Sequence, residues 1–283
     1  MRLPLVVGVD GSPGSLRAVD WAAGEAVRHG RALRLVYASL WERYEGAVPP
    51  DEPDEPPSEE TAAQDVLAAA AERARRREPG VAVSTEVIPD EAAHALLAET
   101  RRAFAVVTGS RGRGRLTELL LGTVSLTVAG RARGPVIVVR GDKAGLAGTH
   151  ERVLLGVADP GTAGEAARFA FREAEARGAV LDAVRTWRSP RRPTDGDSAA
   201  RRASLLLDAA LREPIAHRPR VRVRPATPEG PAARVLLRRT AAADLVVVGA
   251  RQRSGQPGLQ LGRVAHTLLH HAACPVAVVP QPE

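Results

Sequence analysis

Glycine and arginine alternate in one short part of the chain, and these are residue types that can bind an anion. The segment 109–125 reads GSRGRGRLTELLLGTVS. Glycine lets backbone N–H groups approach an anion closely, and the start of a helix adds N–H donors with a partial positive charge. No Gly-Lys-Ser/Thr follows, so the segment is not a Walker loop. The residues predict a phosphate cradle of another kind, formed by Gly109, Arg111, Gly112, Arg113, Gly114 and Arg115.

A strand and a helix are expected to position this segment. The apolar run 104–107 has the length and β-branched content of a buried strand. Gly122-Thr123-Val124-Ser125 follows the loop, and a hydroxyl there can cap a helix that continues to about Arg131. Two alternatives stay open: a surface turn explains the glycine content alone, and solvated loop residues explain the arginines equally well.

Strands and helices alternate through the first half. Strands are expected at 5–10, 32–38, 81–87, 104–107 and 135–139, and helices at 12–30, 59–77, 91–101 and 122–131. Alternation of this kind predicts a parallel sheet covered by helices on both faces. The Pro-rich acidic segment 41–60 has no period and is expected to be a mobile loop or lid, too acidic to hold phosphate.

The pattern then repeats. Val153–Val157 corresponds to the first strand at an offset of 148, and Ala243–Gly249 and Pro275–Val279 correspond to the last two strands at an offset of 140. The segment GDKAGLAGTH, residues 141–150, has the composition of a linker. The chain is therefore predicted to contain two copies of one domain, at 1–141 and 151–283.

The spacing of the glycines resembles a known family. Gly109, Gly112 and Gly122-Thr123 fit the G-x2-G-x9-G-[ST] pattern of the ATP-binding branch of the universal stress proteins, and both halves resemble domains of that family in tandem. The resemblance implies two repeated doubly wound α/β domains, each with a five-stranded parallel sheet of order 3-2-1-4-5 and helices on both faces. The ligand crevice of such a sheet lies outside the ends of the first and fourth strands, where Asp10 and Gly109 are expected.

The resemblance also implies a ligand, ATP, with Mg²⁺ as its candidate companion. It places the base and ribose near Gly8, Val9, Asp10 and Ala38, and the phosphates near Gly109, Ser110, Arg111, Gly112, Arg113, Gly114, Arg115, Gly122, Thr123, Val124 and Ser125. Asp10 could accept hydrogen bonds from the ribose or help to hold a metal. It is explained equally well as a cap of the following helix.

The second half departs from this pattern at the residues that would do the chemistry. Gln252 stands at the position of Gly112, Arg263 at that of Thr123 and Ala158 at that of Asp10, with Asp159 displaced by one. The added side chains obstruct a close backbone approach and the hydroxyl is lost. The second half is therefore predicted to keep the fold without the ligand.

Composition and charge exclude several other classes. The net charge is +7, but the surplus arginines are scattered without interleaved aromatic residues, which favours a solvated basic face over nucleic-acid binding. No apolar run has membrane-spanning length, and an early Asp10 argues against a signal peptide, so the expected location is cytoplasmic. His266 and His270 have metal-like spacing near His271 and Cys274, but a packed or solvated pair is favoured, and no metal ligand is assigned.

Three functional classes remain. The leading one is a cytoplasmic regulatory stress-response protein whose ATP occupancy is sensed by a protein partner. The second is a slow ATP hydrolase or a phosphoryl or adenylyl transferase, although no positioned base or carboxylate cluster is evident, and no catalytic residue is assigned. The third is a ligand-free dimerisation scaffold. The resemblance further implies that the two halves pair as an internal pseudo-dimer through their last strands, and a homodimer is a further expectation.

Overall fold

The computed structural model describes residues 2–40, 59–110, 121–158, 164–189, 196–251 and 261–281. These residues form two compact units. The first comprises Met1–Val128 with Ala132–Val139, and the second comprises Ala129–Arg131 with Arg140–Glu283. The acidic segment lies outside the described residues from 41 to 58.

The first unit is a doubly wound parallel sheet. Its elements are β1 (Leu5–Gly8), α1 (Pro13–Arg28), β2 (Leu33–Ala38), α2 (Glu59–Arg77), β3 (Val83–Ile88), α3 (Ala92–Glu99), β4 (Ala105–Gly109), α4 (Thr123–Arg131, of which the last three residues are grouped with the second unit) and β5 (Val136–Val139). The strands lie in the order β3-β2-β1-β4-β5, and every pairing between them is parallel. The sheet order reverses between β1 and β4, which is the position of the crevice in folds of this type.

The second unit repeats this arrangement. Its elements are α5 (Lys143–Ala147), β6 (Arg152–Gly156), α6 (Gly164–Arg177), β7 (Val180–Val184), α7 (Gly196–His217), β8 (Val223–Ala226), α8 (Ala232–Arg239), β9 (Leu245–Arg251), α9 (Arg263–His271) and β10 (Val276–Gln281). Its strand order is β8-β7-β6-β9-β10, again all parallel. The predicted order 3-2-1-4-5 is confirmed in both units.

Buried apolar strands account for the core of each unit. In β1 the side chains of Val6 and Val7 are fully buried, and in β5 all four residues are buried. A parallel strand covered by helices on both faces needs apolar residues at consecutive positions, which is what these short runs supply. Small residues on α1, among them Ala18, Ala22 and Ala26, allow the helix to lie close to the sheet.

A matched pair of glycines shows how closely the two units correspond. A Cβ atom added to Gly8 would lie 2.8 Å from Cδ1 of Leu96, and one added to Gly156 would lie 2.8 Å from Cδ1 of Leu236. Each glycine ends the first strand of its unit, and each leucine belongs to the helix before the fourth strand. The absence of a side chain at these positions therefore lets that helix pack against the sheet.

Two threonines at equivalent positions, Thr100 and Thr240, make the same hydrogen bonds in the two units. The hydroxyls of Thr100 and Thr240 each donate to the carbonyl three residues earlier, over 2.7 Å in both units. The same oxygens accept from the backbone N–H groups of Arg133 and Ala273, at 3.2 and 3.0 Å. Each threonine thereby ties the end of one helix to the turn that precedes the fifth strand.

The segment expected to be a linker is more ordered than its composition indicates. Residues 143–147 form α5, whose N-cap Asp142 accepts a hydrogen bond from the N–H of Gly145 at 2.8 Å. Gly148 ends this helix in the left-handed conformation, with φ of 71°. Two of the three glycines that gave this segment the composition of a linker, Gly145 and Gly148, thus belong to a short helix and its C-terminal turn.

Candidate functional site

The ends of β1 and β4 form one edge of the first unit. The two strands are adjacent and in register, with Val7 opposite Val107. The residues that follow β1, Val9 and Asp10, therefore lie beside Gly109 and Ser110. Ala38, at the end of β2, reaches the same edge, because the N–H of Val9 donates to the carbonyl of Val36 at 2.8 Å. The structure brings these predicted site residues together.

The carboxylate of Asp10 organises the turn that leads into α1. Its Oδ1 accepts from the N–H of Ser12 at 3.0 Å, and the Ser12 hydroxyl in turn accepts from the N–H of Ser15 at 3.2 Å. Gly11 between them has a φ of 77°, a conformation that glycine adopts without strain. The direct cap of α1 is therefore Ser12, and Asp10 holds that cap in place. Ser15, whose hydroxyl accepts from the N–H of Asp10 at 3.3 Å, was not among the predicted site residues.

Gly109 is required for packing. A Cβ atom at this position would lie 2.5 Å from the backbone carbon and oxygen of Gly14 and 2.9 Å from the nitrogen of Ser15. The sequence suggested that this glycine allows a ligand to approach. In the structure it allows the first turn of α1 to approach β4.

Both ends of the loop between β4 and α4 are fixed by backbone hydrogen bonds. The N–H of Ser110 donates to the carbonyl of Val139 at 3.1 Å, and the N–H of Gly122 donates to the carbonyl of Ser110 at 2.9 Å. The intervening loop thus begins and ends at one point beside the crevice. Its predicted phosphate-binding residues, Arg111, Gly112, Arg113, Gly114 and Arg115, lie outside the described residues.

The start of α4 differs from the prediction. Its N-cap is Gly122, and no side chain caps it. Thr123 is exposed, Val124 is half-buried, and the buried Ser125 donates its hydroxyl to the carbonyl of Gly109 at 2.7 Å. The expected hydroxyl cap is therefore wrong, because Ser125 bonds to the strand instead. The first-turn N–H groups have no acceptor within the helix, which leaves them as donors for an anion.

The corresponding edge of the second unit lacks this chemistry. Ala158 is exposed at the position of Asp10, Arg263 is exposed at the first position of α9, and the buried Ala265 replaces Ser125. Alanine has no hydroxyl with which to bond the carbonyl of Gly249. Gln252 and Asp159, which also distinguished this half in sequence, lie outside the described residues.

Asp10 and the histidines of α9 are the residues that the sequence marked as potential metal ligands. Asp10 belongs to no group of three possible ligands among the described residues. On α9 the rings of His266 and His270 have centroids 4.5 Å apart, and those of His270 and His271 are 6.0 Å apart. Burial lowers the pKa of His270, and the positive charges of His266, His271 and Arg140 lower it further. These surroundings favour the neutral form of His270.

Among the described residues, no helix combines the length and the apolar character needed to span a bilayer.

The Universal stress protein family model matches the chain over residues 1–140 and 149–280. The chain belongs to the universal stress protein family. A universal stress protein of Mycolicibacterium smegmatis is 32% identical to it, over 97% of this chain and 96% of the relative. A universal stress protein of Mycobacterium tuberculosis is 31% identical, over 100% of this chain and 96% of the relative. A crystal structure of a universal stress protein from Archaeoglobus fulgidus has the same fold, with a TM-score of 0.73, 17% identity and 99% coverage of both chains.

The tandem arrangement of two universal stress protein domains is confirmed by the two matched segments. In this universal stress protein the two units share their architecture but differ in the candidate binding residues. Both units keep the sheet and its packing glycines, whereas the first unit alone carries, among the described residues, the Ser125–Gly109 bond and Asp10. The assignment of the ATP motif to the first unit stays a prediction.

Proposed function

We propose that this universal stress protein binds ATP in the crevice of its first domain and acts as a cytoplasmic regulatory module in a stress response. The observation that carries the proposal is the start of α4, which has no side-chain cap and is fixed beside β4 by the Ser125–Gly109 hydrogen bond. A helix start held in this way offers preorganised N–H donors to a phosphate. The loop spacing from Gly109 to Thr123 agrees with the family's ATP-binding pattern.

Other residues at this edge support the proposal. Gly8, Val9 and Ala38 provide a small, apolar edge against which a base can lie, and Asp10 stands next to it. One oxygen of Asp10 already accepts from Ser12, so this carboxylate is oriented before any ligand arrives. Mg²⁺, when it accompanies ATP, is held mainly by phosphate oxygens and water, and we propose Asp10 as the residue that assists.

A regulatory role is favoured over dedicated catalysis. Phosphoryl transfer relies on positioned charges and on a base that orients the nucleophile. Among the described residues of the crevice, Asp10 is the carboxylate, and its Oδ1 already accepts a hydrogen bond from Ser12 in the turn before α1. Slow hydrolysis is the second candidate function, and a ligand-free scaffold is the third.

We further propose how the two domains pair and what kind of partner the protein has. The domains at 1–141 and 151–283 are expected to pair as an internal pseudo-dimer, with a homodimer as a further possibility, and the nucleotide state is expected to be sensed by another protein. Nucleic acid and membrane are not proposed as partners.

Analysis of nucleotide bound to the purified protein tests this function. We expect ATP to be released on denaturation, and calorimetric titration of the stripped protein to give one site per chain. Measurement of ADP formation beside the titration separates the regulatory module from a hydrolase. A protein that carries no nucleotide and gives no heat with ATP, ADP or AMP would support the scaffold instead.

A further inference from the structure

The fourth and fifth strands are longer in the second unit than in the first. The β4–β5 ladder ends with Gly109 opposite Val139, whereas β9–β10 continues past the equivalent pair to Gln281 opposite Arg251. This extension follows the edge at which the first unit has its candidate site. It brings the side chain of Gln281 to the end of β9.

The side chain of Gln281 fills the space between β9 and the start of α6. It is 2% exposed. Its Oε1 accepts from the N–H of Glu165 in the first turn of α6 at 3.2 Å, and its Nε2 donates to the carbonyl of Val279 at 3.0 Å. Its Cγ lies 3.0 Å from the position that a Cβ of Gly249 would occupy. Both ends of the carboxamide are therefore satisfied by the protein itself.

The equivalent place in the first unit is built differently. Gly109 contacts the backbone of Gly14 directly, and the residue that corresponds to Gln281 is Gly141, which has no side chain to insert. The carboxamide of Gln281 is thus an addition to the second unit. Its oxygen accepts from a first-turn N–H group, as a phosphate oxygen does at the start of a helix.

A second side chain covers the end of β6. The guanidinium of Arg185 donates to the carbonyl of Ala158, the residue at the position of Asp10. The backbone N–H of Arg185 continues the β7–β8 ladder to Ala226 at 3.0 Å, which fixes the position from which the side chain reaches across. The residue that corresponds to Arg185 in the first unit is Tyr37.

We propose that Arg185 and Gln281 occupy the crevice of the second domain from within and keep nucleotide out of it. This inference rests on the proposed function for the equivalent crevice of the first domain. A nucleotide that entered would have to displace the buried carboxamide and break its hydrogen bonds to the N–H of Glu165 and the carbonyl of Val279, which costs free energy. The missing glycine and hydroxyl at Gln252 and Arg263 are then not the sole reason that the second domain lacks a site.

Two altered chains separate these causes. The first, Gln252→Gly with Arg263→Thr, restores the spacing of the glycine motif. The second carries the same pair together with Arg185→Ala and Gln281→Ala. In calorimetric titration with ATP we expect one site per chain in the native protein and in the first altered chain, and an additional site in the second.

The outcomes distinguish the two proposals. The inference is overturned if the chain with Gln252→Gly and Arg263→Thr already binds ATP at a second site. It is also overturned if the chain with all four substitutions folds but shows no second site. Absence of ATP binding in the native chain would overturn the proposed function, whereas the comparison between the altered chains would still test the inference. Arg238→Ala with Gln64→Ala, which removes the same residue types from exposed positions, is the control and should leave the number of sites unchanged.

Amide hydrogen exchange gives a measurement that needs no nucleotide. Gln281→Ala removes the acceptor of the Glu165 N–H, and exchange at Glu165 should become about tenfold faster, the equivalent of one ordinary hydrogen bond. Unchanged exchange at Glu165 would show that the carboxamide does not hold the start of α6, and the inference would fail. Circular dichroism of each variant confirms that the fold is retained.

Discussion

The hydroxyl of Ser125 donates to the carbonyl of Gly109 at 2.7 Å, and this bond joins the start of α4 to the end of β4. Both residues are buried. The bond has no counterpart in the second unit, where Ala265 faces the equivalent strand. It is therefore one of the contacts by which two units of the same fold differ at the ends of β4 and β9.

Replacing Ser125 by alanine should lower the free energy of unfolding by about 1–3 kcal/mol, because the buried carbonyl of Gly109 loses its donor. The start of α4 is then less well fixed, so ATP affinity should fall as well. Urea denaturation and calorimetry measure the two effects. Ser84→Ala, on the exposed face of β3, is the control and should change the stability by less than about 0.5 kcal/mol. Equal stability of the two variants would remove the structural role assigned to Ser125.

Gly109→Ala should destabilise the protein by about 3 kcal/mol or more, because the added Cβ would lie 2.5 Å from the backbone of Gly14. Backbone atoms of a helix cannot move aside as a flexible side chain can. Gly80→Ala is the matched control, since a Cβ there meets no atom within 4 Å. Thermal denaturation compares the two. If both variants melt alike, the close packing of α1 on β4 is not what requires a glycine.

Thr123→Arg and Gly112→Gln should each weaken ATP binding roughly ten- to a hundredfold, the effect of losing one charge-assisted hydrogen bond. Each substitution introduces the residue that the second half carries at the equivalent position. Isothermal calorimetry measures the affinity. The reciprocal single changes Arg263→Thr and Gln252→Gly are the controls and should leave the first site unaltered. Undiminished affinity in Gly112→Gln, or two equivalent sites in the native chain, would contradict the assignment to the first half.

The architecture could be predicted from the sequence because strands and helices are indicated by local residue patterns. Short β-branched runs alternate with helical patterns, and a buried parallel strand needs just such runs. The repeat, visible between Ala103–Gly109 and Ala243–Gly249, fixed the tandem organisation. The strand order came from the family resemblance, since local patterns do not specify which strands are neighbours.

The details of the site could not be predicted in the same way because they depend on contacts between residues that are far apart in the sequence. The need for glycine at 109 arises from the backbone of Gly14, and the bond made by Ser125 depends on where β4 ends. The role of Gln281 depends on Glu165 and on the length of β10. In sequence, Ser125 belonged to a hydroxyl-rich helix start, and a cap was the local expectation.

His270→Gln should reduce the dependence of stability on pH. The folded pKa of His270 lies below its usual value because of burial and the positive charges of His266, His271 and Arg140. The unfolded state therefore binds a proton first, and stability falls as the pH decreases from the unfolded pKa, about 6.5, to the lower folded pKa. Unfolding free energies between pH 7.5 and pH 5 measure the slope. His94→Gln, at an exposed position, is the control, and an unaltered slope in His270→Gln would contradict the expectation.

Cys274 should be unreactive in the folded protein. Burial raises the pKa of its thiol to about 12, and the negative charge of Asp244 acts in the same direction. Since the thiolate is the reactive form, a disulfide reagent at pH 8 should label the native protein far more slowly than the denatured protein. The denatured chain is the internal control, because Cys274 is the single cysteine of the sequence. Rapid labelling under native conditions would show that this part of the second unit opens readily.

The glycines at 8 and 156 have a consequence for the evolution of duplicated domains. Each accommodates a leucine of its own unit, so the packing of the fold needs both glycines whether or not a ligand is bound. After duplication, a copy can abandon its chemistry and still preserve these glycines indefinitely. These glycines therefore report on the fold of a domain and carry no information about its ligand, whereas Ser125 and Ala265 mark a position at which the two units differ.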